Sequence, residues 1–170
     1  MLFFQDEGRF GRIDNVSSCW VPSGTRAKVG NQIIRKYTYA YTAICPETGE
    51  NYSLILPYAN CECMDIFMQG VSEKFKNYRI IMAMDSASWH TGEKTKKWEN
   101  IVPLFQPPYS PELNPVEHIW HHIRESYNFK NKTFSSMKEV EDRLVTALKE
   151  LNEETVKSIS QFSWIYQASC

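Results

Sequence analysis

A chain of 170 residues, 42% hydrophobic and 23% charged, has room for one domain with a proper core and hardly for two. A net charge of −1 argues against a strongly basic nucleic-acid-binding module, so phosphate binding would lean on metal ions or on another domain. No stretch approaches the roughly 18 apolar residues of a membrane span, and the opening residues, with Asp6, Glu7 and Arg9, lack the pattern of a signal peptide; a cytoplasmic protein is the expectation.

Leu2 to Asp6 reads as a short buried strand, and Gly8, Gly11, Asp14-Asn15, Pro22 and Gly24 then predict a loop or irregular hairpin around Trp20. Lys36 to Cys45, rich in Tyr, Thr and Ile, has a strand composition; Pro46-Glu47-Thr48-Gly49 makes a turn, and Tyr52 to Leu56 returns as a further strand. These three strands form a meander. Asn60 can cap a helix over residues 61–77, in which Met64, Phe67, Met68, Val71 and Phe75 supply the apolar stripe. Arg79 to Met84 has the continuous apolar run of a strand buried on both faces. Glu93 to Trp98 allows a helical turn or two, and Ile101 to Phe105 is a fifth strand. The helix from Pro115 puts Val116, Ile119, Trp120, Ile123 and Tyr127 on one face. Ser135-Ser136 with Glu139 marks the start of another helix, running to about Leu151, and a last one covers roughly Glu154 to Phe162.

Three acids stand out against this pattern. Asp6 and Asp85 each end an apolar strand, and Glu117 falls in the first turn of a helix behind the stiff run Gln106-Pro107-Pro108-Tyr109-Ser110-Pro111. Carboxylates delivered this way suit a divalent-metal site for phosphodiester chemistry, because Mg²⁺ prefers oxygen ligands and shares them with substrate phosphates. Each acid also has a structural reading: Asp85 as a turn residue, Asp6 as a surface acid, and Glu117 as the third member of a capping box begun by Asn114 and Pro115. Glu7 should point to the face opposite Asp6. The five cysteines, Cys19, Cys45, Cys61, Cys63 and Cys170, lack zinc-site spacing and read as reduced thiols. Small basic clusters, Arg35-Lys36, Lys94 with Lys96 and Lys97, and Arg124 with Lys130 and Lys132, read as solvated faces. His118, His121 and His122 read as helix-surface residues, and Trp20, Trp89 and Trp120 as core.

Gln5-Asp6-Glu7, Asp85-Ser86-Ala87-Ser88-Trp89-His90 and the stretch from Pro107 to Trp120 resemble the DDE transposases of the mariner superfamily, specifically its bacterial insertion-sequence branch, the family numbered 630. The resemblance covers nearly the whole chain. It implies an α/β, ribonuclease-H-like fold: a five-stranded mixed sheet flanked by helices, with extra C-terminal helices. It also implies two Mg²⁺ or Mn²⁺ ions, Asp6 bridging them and Asp85 and Glu117 each holding one. His90 matches a histidine of the family motif, in a place to contact a phosphate or orient a water; a purely structural histidine stays open. The implied reaction is DNA strand cleavage at transposon ends followed by transfer of the freed 3′ end into target DNA, with the protein assembled on DNA as a homo-oligomer. Ser86 stands where the family commonly has Asn, Gly8 where it has a small hydroxyl residue, and the interval from Asp85 to Glu117 is slightly short. Family members carry helix-turn-helix modules before the catalytic domain, whereas here the first strand starts at once; a separately encoded helix-turn-helix subunit is one reading, a remnant another. The rivals are a different ribonuclease-H-like nuclease and a non-enzymatic fragment that regulates a full transposase.

Overall fold

The computed structural model describes residues 1–13, 18, 20–26, 28, 30, 32–87, 90 and 98–162. Cys19, Trp89, Lys94, Lys96, Lys97, Cys170 and most of the helical turn expected at Glu93 to Trp98 lie outside them. The elements follow the order β1 (Leu2–Ile13), β2 (Ile33–Ile44), β3 (Asn51–Leu56), α1 (Cys61–Lys74), β4 (Ile80–Met84), β5 (Ile101–Phe105), a 3₁₀ turn (Pro111–Leu113), α2 (Val116–Ser126), α3 (Met137–Glu150) and α4 (Glu153–Ser160). The sheet order is β3-β2-β1-β4-β5, antiparallel across β1, β2 and β3 and parallel from β1 through β4 to β5.

Alternation along β1 divides the core in two. Phe3 goes to one face, with Tyr41, Met82 and the α1 residues Met64, Phe67 and Met68; Phe4 and Phe10 go to the other, under Ile119, Trp120, Ile123, Val140 and Leu144 of α2 and α3. Gly49 (φ 80°) closes the turn between β2 and β3, where its N–H donates to the Cys45 carbonyl at 2.8 Å. Asn60 caps α1, accepting from the Cys63 N–H at 2.9 Å.

Four expectations need correction. β1 runs past Asp6 to Ile13, through two glycines that read as breakers. At Gly8 a Cβ would sit 2.8 Å from the Phe10 and Trp120 rings, and at Gly11 it would meet the Lys36 carbonyl, so both glycines permit close packing within the strand. α1 stops at Lys74 because the Asn100 side-chain amide takes the carbonyls of Ser72 and Phe75, at 3.2 and 3.3 Å. β4 is not buried on both faces: Ile81 is 48% exposed, beside Val102 and Leu104 of β5, which are also exposed. Trp20 is fully exposed rather than core. No helix among the described residues is long and apolar enough to cross a membrane.

Candidate active site

The parallel ladder pairs Leu2 with Ile81, Phe3 with Met82 and Phe4 with Ala83. Continued two positions, that register brings Asp6, inside β1, level with Asp85, just beyond the end of β4. Glu117 arrives from the first turn of α2. All three acids line one cleft of about 340 Å³ whose rim is the segment from Gln106 to Pro111. Open sheets gather ligands at the carboxyl ends of parallel strands, where this cleft lies.

Asp6 is the most perturbed acid. Burial, then the charges of Glu117 and Glu7, push its pKa up to about 7, against the pull of a 2.9 Å hydrogen bond from Trp120 Nε1 to Oδ2. Trp120 is 1% exposed and lies over Gly8, so its ring is fixed and the donor is aimed at the carboxylate. Arg124, further along the same helix, adds a cation near both Asp6 and Glu117, although burial lowers its own pKa.

Asp85 sits on an exposed turn, yet one of its oxygens is tied down. Oδ1 accepts from His90 Nδ1 at 2.6 Å and from the Ala87 N–H at 3.0 Å, and the bond from His90 holds its pKa below the usual carboxylate value. His90 is fully buried. Its Nδ1 also meets the Asp85 carbonyl at 3.0 Å, and its Nε2 donates to Glu7 Oε1 at 2.8 Å. Burial alone would favour the neutral ring, but the bonds to Asp85 and Glu7 outweigh it and raise the pKa to about 10. Both ring nitrogens therefore have protein partners, and His90 faces Asp85 from behind rather than facing the cleft.

Glu117 is exposed, and its carboxylate does not close the capping box that the sequence allows: the Asn114 N–H donates instead to the Pro111 carbonyl at 2.9 Å. Asn114 does two other things. Its Oδ1 accepts from the N–H of Val116, the first residue of α2, at 3.1 Å, and its Nδ2 donates to the Gln5 carbonyl at 2.9 Å, which ties the start of α2 to β1 one residue before Asp6. The preceding loop is held by Gln106, whose Nε2 donates to the Leu113 carbonyl at 3.1 Å, and by Ser86 Oγ donating to the Gln106 carbonyl at 3.3 Å. At its tip Tyr109 is fully exposed in a left-handed conformation (φ 58°) uncommon for a bulky residue.

The structure thus brings Asp6, Asp85 and Glu117 together, and places His90 behind Asp85. Glu7, Trp120, Asn114 and Arg124 belong to the same arrangement and were not legible as site residues. Only the heptad-like spacing of Glu117, Trp120 and Arg124 along α2 hinted that one helix serves the site more than once. Among the described residues no three His, Cys, Asp or Glu side chains are assembled at metal-binding geometry. The donor set still fits a hard divalent cation: three carboxylates on one cleft, with Asp6 pushed upward first by burial and then by the charges of Glu117 and Glu7.

Residues 1–141 match the model of a family described as DDE superfamily endonuclease. The protein y4pE/y4sA of Sinorhizobium fredii (strain NBRC 101917 / NGR234) is 30% identical over 135 residues, 78% of this chain and 99% of that protein. A Mos1 strand transfer complex superposes with a TM-score of 0.70 at 18% identity, over 94% of this chain and 50% of that chain. A Mos1 mariner paired-end complex with Mn gives 0.70 at 18%, over 94% and 51%. The catalytic core domain of BIV integrase gives 0.52 at 14%, over 86% and 80%. This chain spans about half the length of the Mos1 chains in those complexes. The fold they share is the ribonuclease-H-like one, a mixed five-stranded sheet with helices on both faces. The chain belongs to the DDE superfamily endonucleases.

Proposed function

We propose that this chain is the catalytic domain of a DNA transposase, cutting strands at transposon ends and joining the freed 3′ ends to target DNA. The observation that carries the reading is the convergence of Asp6, Asp85 and Glu117, far apart in sequence, on one cleft in a family of endonucleases. These acids would hold two Mg²⁺ or Mn²⁺ ions, with substrate phosphate oxygens completing their coordination. Such ions, once bound, activate the attacking water or 3′-hydroxyl and stabilise the leaving oxygen. The protein's own residues set the geometry. Trp120 and Asn114 fix the position of Asp6 against α2, His90 fixes one oxygen of Asp85, and the loop from Gln106 to Pro111 walls the cleft against which a strand would lie.

The near-neutral charge supports a reading in which end recognition falls to another part of the assembly, a helix-turn-helix region contributed by further sequence or by a separate subunit, with catalytic domains paired on DNA as a homo-oligomer. The test is Mn²⁺-dependent nicking of a transposon-end duplex by the parent and by Asp6→Asn, Asp85→Asn and Glu117→Gln. Each substitution should abolish product by orders of magnitude while the fold persists. Glu117→Gln is the sharpest of these, since Gln keeps the length and the first-turn position; cleavage at near-parental rate would remove Glu117 from the site.

A further inference from the structure

Strand alternation gives the dipeptide Asp6-Glu7 two destinations. Asp6 enters the cleft on the α2 side, while Glu7 turns to the α1 side, where only 6% of its side chain is exposed and it does not line the cleft. A carboxylate buried there needs a cationic or strongly donating partner. Its hydrogen-bond partner is His90 Nε2, at 2.8 Å, and the opposite nitrogen of the same ring is 2.6 Å from Asp85 Oδ1. The ring itself cannot drift. It is fully buried, and its backbone N–H donates to the Ala87 carbonyl at 2.9 Å, closing the turn that follows Asp85.

Asp85 needs such support more than Asp6 does. It lies beyond the last residue of β4, with 58% of its side chain exposed, so neither ladder bonds nor packing select its rotamer. Its Oδ1 is held by His90 and by Ala87, while the residue lines the cleft. Groups that bind metal and substrate have to be held within about 0.5 Å by locked neighbours, and partners one shell out are commonly worth 10–100-fold in metal affinity.

We infer that Glu7 is a positioning residue: through the fully buried His90 ring it fixes the carboxylate of Asp85, so that one pair of adjacent residues on β1 supplies one acid to the cleft and braces another. This rests on the reading of Asp85 as a metal ligand for its consequence in catalysis, but not for the coupling itself. Glu7→Ala would remove the carboxylate to which Nε2 donates, and with it one of the ring's anchors; Glu7→Gln keeps an oxygen within reach of Nε2 and should preserve the chain of bonds.

The experiment follows Asp85 directly. The ¹³Cγ resonance of Asp85, assigned by its loss in Asp85→Asn, is recorded without metal for the parent, Glu7→Ala, Glu7→Gln and His90→Ala, with folding verified by circular dichroism. The resonance in Glu7→Ala should move to the position seen in His90→Ala, while Glu7→Gln stays near the parent. Calorimetric titration with Mn²⁺ at a temperature well below melting should then show a 10–100-fold weaker affinity in Glu7→Ala and recovery in Glu7→Gln. An Asp85 resonance unmoved in Glu7→Ala overturns the inference, as does a shift accompanied by unchanged Mn²⁺ affinity. If Glu7→Ala does not fold, Glu7→Asp, whose shorter side chain draws the carboxylate away from Nε2, takes its place: an Asp85 resonance that moves toward the His90→Ala position is expected, and one left at the parental position would overturn the inference. A parent that neither binds Mn²⁺ nor cleaves DNA, with the Asp85 resonance still responding to Glu7, would instead reject the transposase reading and leave the coupling standing.

Discussion

Asp6 concentrates the electrostatic cost of the cleft. Its carboxyl, ordinarily near 3.8, is raised to about 7 by burial and by the neighbouring charges of Glu117 and Glu7. Between about pH 4 and pH 7 the unfolded chain has already released this proton while the folded chain retains it. Stability therefore falls as pH rises through that window and levels off above it, by roughly 4 kcal/mol at most. Asp6→Asn should flatten that slope and, without metal, be the more stable protein at pH 8; urea melts at pH 5 and pH 8 check both. A bound cation has to displace the same proton. Affinity for Mn²⁺ should climb about tenfold per pH unit below 7 and flatten above it, which titration calorimetry at pH 6, 7 and 8 can read.

At the scale of elements, what the sequence concealed is as instructive as what it displayed. The places of the strand acids were legible because an apolar run ending in a carboxylate needs no partner to be seen, and that of Glu117 because proline and asparagine punctuate a helix start; that the three act together was implied by the family resemblance and not by these local patterns. The length of β1 was not legible: Gly8 and Gly11 break isolated strands, and the rings of Phe10 and of Trp120 from α2, both against Gly8, explain the absence of a side chain there. Gly8→Ala should cost about 1–3 kcal/mol by overpacking against Trp120 and Phe10, seen as a lower melting temperature. The pairing of His90 with Glu7 was hidden for the same reason, since its partners meet only when β1 and β4 lie side by side. Asn114 showed its place at the start of α2 and hid its tie to the Gln5 carbonyl. Asn114→Ala should cost about 1–3 kcal/mol, because the Gln5 carbonyl and the Val116 N–H each lose a buried partner. It should also lower cleavage more than a remote substitution of equal cost, because α2 carries Glu117; matched melting and nicking assays separate the two effects.

For the molecule as a whole, the covering of the sheet is uneven. One side of β1 to β3 is roofed by α2 and α3, while Ile81, Val102 and Leu104 stay exposed toward the β5 edge. Replacing Val102 and Leu104 with threonine should change stability little and reduce self-association, with light scattering as the readout. The even charge balance has its own consequence. Used alone, this chain should bind duplex DNA with a dissociation constant of roughly 10⁻⁴ to 10⁻⁶ M near physiological salt and without sequence preference. Nanomolar selectivity for one short duplex would contradict that.

The indole that donates to Asp6 is also a chromophore, and its burial against the cleft gives it a spectrum of its own. Trp120, buried edge-on against Phe10, should emit to the blue of solvent-bathed Trp20. An ion on Asp6 would stand one carboxylate away from that ring. Paramagnetic Mn²⁺ should then quench the blue component in a saturable way, and diamagnetic Mg²⁺ should restore it by competition. In Trp20→Phe the signal would be cleaner, and in Asp6→Asn it should vanish. The bond that steadies the acid thus supplies an optical gauge of metal occupancy, read before any DNA is added.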